Sequence, residues 1–178
     1  MGFATKWLAE DALFPQLFKE NPDNLTGIIA VVPAYNEPGI TTLLDSLALC
    51  SQPRCGVEIL IIVNLKPDAG IDATRNNRKC IENINAWDKA NPDHFFRLFV
   101  YDTGIPVIPG WGVGLARKTG MDEAVRRFNS INKPEGVIVC LDADCTVEKN
   151  YFYAIAENLL FVNQNKACSI YFEHSTGD

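Results

Sequence analysis

A three-layer α/β/α sandwich around a mostly parallel central sheet is the fold class this sequence predicts, on two observations. Short aliphatic and β-branched runs alternate with segments whose apolar residues recur at helical spacing. The first of these runs, Gly27 to Val32, is apolar throughout, as a strand covered on both faces is. Length agrees, since 178 residues suit one ordinary domain.

Residues 1–26 carry Trp7, Leu8, Leu13, Phe14, Leu17 and Phe18 at helical spacing, which predicts an N-terminal helical segment packed on the domain. The domain itself spans 27–178. Gly27 to Val32 reads as its first strand. After the turn Pro33-Ala34-Tyr35-Asn36-Glu37-Pro38, Ile40, Leu43, Leu44 and Leu47 fall on one helix face. Val57 to Val63 is the second strand. A helix follows from about Asp72, with Ile81, Ile84 and Trp87 in its stripe, and stops before Asn91-Pro92 because a residue preceding proline disfavours helix.

Phe95 to Tyr101 reads as a third strand. Asp102 to Gly114, rich in glycine and proline, predicts an irregular loop, and a helix then runs to about Phe128 with Met121, Ala124, Val125 and Phe128 inward. Gly136 to Leu141 is a fourth strand. Phe152, Ile155, Ala156, Leu159 and Leu160 mark one more helix, and Ala167 to Phe172 reads as a fifth strand.

Charge narrows the function classes. Sixteen basic against 22 acidic residues leave a net charge of −6, which excludes a general phosphate-backbone binder and so argues against nucleic acid. The aliphatic run Ile59 to Val63 is far shorter than the ~20 residues that span a bilayer, and Met1 to Glu10 has no signal-peptide pattern. Six cysteines without C-x-x-C spacing read as reduced, buried thiols. These features point to a cytoplasmic protein, with peripheral membrane association left open.

In a parallel α/β sheet, ligands bind beyond the carboxyl ends of the strands, where strand order reverses. Three predicted strand ends carry polar groups: Tyr35-Asn36-Glu37, Asn64, and Asp142-Ala143-Asp144. Asp142 and Asp144, two residues apart on extended chain, point to the same side. Two such carboxylates suit a hard divalent cation, Mn²⁺ or Mg²⁺, with positions left for diphosphate oxygens. Arg117 and Lys118 open a helix after the Gly110-x-Gly112-x-Gly114 loop and suit the same diphosphate. Tyr35 can stack on a planar base, while Glu37 and Asn64 can contact base or ribose.

The strings IIAVVPAYNEPG, GVGLARKTGMDEA and VIVCLDADCTVEKNYF, in that order, resemble the GT-A glycosyltransferases of the family 2 type. The resemblance covers about Gly27 to Phe172. It implies a Rossmann-like GT-A domain that transfers a sugar from a UDP- or GDP-sugar donor to a hydroxyl acceptor, with inversion. It implies that Pro33, Ala34, Tyr35 and Glu37 line the nucleotide pocket and that Asn64 stands where the family usually has a base- or ribose-contacting aspartate. It implies that Arg117 is the family's recurring arginine. Asp142, with Ala143 beside it, is similar to the residue on the donor's ribose or sugar, and Asp144 to the one reaching the metal. The family's general base lies downstream of this motif, in an acceptor region. With 34 residues after Asp144, the domain reads as truncated there, and Glu173, followed by His174, is the candidate base.

Two other readings use the same residues. One is a nucleotide-sugar-binding module without catalysis. The other is a haloacid dehalogenase-type phosphatase, since Asp142-Ala143-Asp144-Cys145-Thr146 also satisfies D-x-D-x-T with Asp142 as nucleophile.

Overall fold

The structure is a computed structural model that describes residues 2–104, 108, 110–163 and 165–173. Four parallel strands form its sheet: β1 (Thr26–Ala34), β2 (Gly56–Val63), β3 (Arg97–Asp102) and β4 (Val137–Cys140), in the order β3-β2-β1-β4. The chain steps outward from β1 to β3 and then returns to the other side of β1. That reversal forces the crossovers onto opposite faces, because right-handed connections running in opposite directions cover opposite sides.

Strand alternation separates the two faces. Ile28, Ala30, Val32, Ile59, Ile61 and Val63 pack against α2 (Thr41–Ala48), α3 (Ile71–Ala90) and α5 (Tyr151–Ile155) through Leu44, Leu47, Ile84, Trp87, Phe152 and Ile155. Ile29, Val31 and Leu60 point the other way, to Ala124 and Phe128 of α4 (Val113–Ser130) and to Phe18. Both faces are covered, so β1 is buried at every position. The three-layer α/β/α architecture expected from the sequence is the one observed.

Three expectations are corrected. The N-terminal helix is short: α1 covers Thr5–Asp11, and residues 12–25 run without regular helix. Pro15 disfavours helix at Phe14, and α4 offers the freed backbone better partners. Asp122 and Glu123 accept the amides of Leu13 (2.9 Å) and Leu17 (3.1 Å), while Arg126 and Arg127 donate to the carbonyls of Phe14 and Glu20 (2.9 Å each). Of the stripe, Phe18 is buried and Leu13, Phe14 and Leu17 are half-buried, while Trp7 on α1 is exposed.

Ala167 to Phe172 forms no strand; it is exposed and faces β4's free edge across a cleft of about 700 Å³. Strand propensity yields a ladder only where an edge is engaged. The last helix continues from α5 as a π-helical stretch, Ala156–Phe161. Finally, Met121 lies on the outer face of α4, 39% exposed.

Candidate functional site

Because all four strands are parallel, their carboxyl ends share one rim. Tyr35 to Glu37 leave β1, Asn64 leaves β2, and Asp142 to Asp144 leave β4. β1 and β4 are neighbours paired through Val31↔Cys140, and Leu141 N–H continues the ladder to the Val31 carbonyl (3.0 Å). The acidic motif therefore stands beside the Pro33-Ala34 end of β1, at the point where strand order reverses. Pro33, Ala34 and Ala143 are buried scaffold there, and the side chains free to meet a guest belong to their neighbours.

The Glu37 carboxyl is held above the ordinary carboxylate range, first by desolvation and then by the negative charge of Asp144. On the buried face of α3, burial, and after it the Glu37 charge, push the Cys80 thiol up to about 12. Asp144 is exposed. The Asp142 side chain is 67% exposed, and its Oδ1 accepts a hydrogen bond from Arg117 Nη2 at 2.7 Å. Helix α4 begins at Val113, so Arg117 sits a full turn inside it and its guanidinium, not a bare helix amide, meets the acidic motif. Arg117 Nε is buried with no partner among the described residues.

Lys118 is placed differently from the expectation. Its Nζ donates to both Asp122 oxygens (2.8 and 2.9 Å) and to the Asp11 carbonyl (3.1 Å), and it lies 5.1 Å from the Trp7 ring. One residue beyond Arg117 on a helix means ~100° of rotation. Lys118 thus clamps the N-terminal segment and is not directed to the acidic pair.

Tyr35 is half-buried, and Lys66 Nζ sits 5.0 Å from its ring centroid. Asn36 adopts φ 60°, the left-handed region that asparagine tolerates better than most residues. Two side chains of α3 hold it there. Asn36 N–H donates to Asn77 Oδ1 and Asn76 Nδ2 donates to Asn36 Oδ1, each at 2.8 Å. Asn77 Nδ2 in turn donates to the Asn64 carbonyl at 2.8 Å. The Asn64 backbone is thereby fixed, its N–H bonding the Ala34 carbonyl (2.9 Å), yet both polar atoms of its buried carboxamide lack a partner among the described residues. Each idle buried group costs about 1–3 kcal/mol.

Asn77 was not foreseen from the sequence. Its signal was a polar residue on the inward stripe of α3, in line with Ala73, Cys80, Ile84 and Trp87. Glu173 lies in the exposed tail, where its Oε1 accepts from the Tyr171 hydroxyl at 2.6 Å. His174 lies outside the described residues.

Among the described residues no group of three or more metal-ligating side chains forms a preassembled metal site. What the rim offers is a sparse oxygen set: exposed Asp144, Glu37 repelled by it, and the remaining carboxylate oxygen of Asp142. No helix among the described residues is long and apolar enough to cross a membrane.

No family model matches the chain, and no curated protein matches it. Among solved structures, S. aureus TarS 1–349 is similar at a TM-score of 0.45 and 20% identity, covering 74% of this chain and 32% of that one. S. aureus TarS 1–349 in complex with UDP-GlcNAc is similar at 0.43 and 21%, covering 74% and 30%. The chain spans about a third of the length of these structures. At such TM-scores the likeness adds nothing to what the sheet already establishes.

Proposed function

We propose that the chain binds a nucleotide-diphospho-sugar at the carboxyl rim of its sheet and transfers the sugar to a hydroxyl acceptor. One observation carries this reading. The Tyr35-Asn36-Glu37 turn and the Asp142-Ala143-Asp144 motif meet at the strand-order reversal, with Arg117 ion-paired to the second.

The roles follow from chemistry. Tyr35 supplies a ring face for the base. Glu37 and Asn64 contribute polar groups toward base and ribose. Asp144, with Asp142, would hold Mn²⁺ or Mg²⁺, and that ion would neutralise charge on the departing diphosphate. Arg117 does two things: it fixes the Asp142 carboxylate and brings positive charge beside the phosphates. A carboxylate must accept the acceptor hydroxyl's proton as the sugar is transferred, and Glu173 is our candidate. The phosphatase alternative needs Asp142 as an unencumbered nucleophile, and the Arg117 ion pair works against that.

Calorimetric titration with UDP and GDP tests the reading. Binding should tighten at least tenfold, about 1.4 kcal/mol, when Mn²⁺ is added, and Asp144→Ala should remove that gain while leaving the chain folded. Affinity indifferent to both changes would sink the proposal.

A further inference from the structure

We propose that Asn77 is a positioning residue that sets the nucleobase side of the donor site, an inference that rests on the donor-binding reading above. One carboxamide on α3 spends its oxygen on the Asn36 N–H and its amino group on the Asn64 carbonyl, each at 2.8 Å. It therefore ties together two loops that leave different strands. The first loop carries Tyr35 and Glu37. The second carries Asn64, whose own carboxamide is buried with donor and acceptor both idle.

A side chain serving only the core would not sit where these connections meet. Asn77 is 6% exposed on an otherwise apolar stripe, and leucine there would fill the space without the burial penalty of a polar amide. The asparagine is accounted for by what it holds: Asn36 at φ 60°, and with it the direction in which Tyr35 and Glu37 leave β1. Asn76 adds a second bond to the same residue, through Asn36 Oδ1. The idle Asn64 amide is an independent sign of a ligand, because a base edge presents a donor beside an acceptor and can satisfy both of its atoms.

Asn77 acts through these loops and not on the phosphates, so its loss should separate two affinities. Dissociation constants would be measured by calorimetry for Mn²⁺ with UDP, Mn²⁺ with GDP and Mn²⁺ with pyrophosphate, on wild type, Asn77→Ala and Asn77→Asp. Asn77→Ala should weaken the preferred nucleotide about tenfold, the size of one lost hydrogen bond to a buried partner, with pyrophosphate binding changed less than about twofold. Asn77→Asp keeps the acceptor for Asn36 but sets a carboxylate oxygen against the Asn64 carbonyl, so it should weaken the nucleotide at least as much as Asn77→Ala, again with pyrophosphate little changed. It also carries the test alone if the alanine chain does not fold. Equal weakening of nucleotide and pyrophosphate, or weakening of neither, overturns the inference while the donor reading stands. A wild-type chain that binds pyrophosphate but neither nucleotide overturns both.

Discussion

Burial and the charge of Asp144 both make Glu37 hold its proton more tightly than an ordinary glutamate. The consequence for stability has a definite sign. A carboxyl whose folded-state pKa is raised contributes stability at pH below its unfolded value of 4.5, and that stability is lost as pH rises through the folded value. At neutral pH the rim therefore carries a repulsion that the fold tolerates and that a cation would relieve. Asp144→Asn removes one of the two causes. The apo chain bearing it should melt at the same or a higher temperature than wild type at pH 7, with the difference shrinking at pH 4. A lower melting temperature at pH 7, read by circular dichroism, would contradict this account.

Helix α4 decides two things at the scale of elements. Its inner face approaches the sheet closely at Gly120, where an added Cβ would lie 2.4 Å from Val31 Cγ1 and 3.0 Å from Ile62 Cγ1. Gly120→Ala should cost about 1–3 kcal/mol despite the better helix propensity of alanine, because overpacking outweighs propensity here. Urea denaturation would show it as a lower midpoint at unchanged slope. Arg117 lies one turn before Gly120, so the same change should also weaken Mn²⁺-nucleotide binding.

The C-terminal half of α4 holds a buried ion pair. Arg127, 3% exposed, bonds fully buried Glu58 of β2 through Nε and through Nη2 (2.9 Å), and its Nη1 reaches the Glu20 carbonyl. Arg97 adds a longer contact to Glu58 (3.3 Å). Removing one partner of such a pair strands the other's charge. Arg127→Leu should therefore cost about 3–5 kcal/mol. The double change Glu58→Leu/Arg127→Leu should cost less than the sum of the single changes, since Arg97, partly exposed, can turn to water. Additive losses in a double-mutant cycle would show that the pair is not coupled.

On the scale of the whole molecule, the candidate donor groups and the candidate base fall in different regions. The rim gathers the candidate donor groups, whereas Glu173 sits in an exposed tail beyond the π-helical stretch, bonded locally to Tyr171. If Glu173 is the base, Glu173→Gln should abolish transfer to a hydroxyl acceptor and leave UDP or GDP affinity within about twofold. Unchanged transfer, measured as nucleotide released from a sugar donor, would remove it from the mechanism.

Much of this architecture was legible because it is local. Apolar runs and helical periods are written over ten or twenty consecutive residues, and β1, β2, α2, α3 and α4 appear close to their expected bounds. The rim positions followed from the same periods, since a strand end is a sequence feature. The errors came where partners lie far away in sequence. Leu13 to Phe18 have a helical spacing, yet their backbone answers to α4 side chains more than a hundred residues on. Ala167 to Phe172 have a strand's composition but no ladder.

By itself, then, the sequence determined the three-layer α/β class and the order in which polar motifs arrive at one edge of the sheet, because hydrophobic periodicity dictates both. Only the tertiary structure decided that β4 stands beside β1, that Arg117 faces Asp142 while Lys118 is consumed by the N-terminal segment, and that Asn77 joins two loops. These outcomes depend on which buried donor finds which acceptor once the layers close, and no local repeat encodes that pairing.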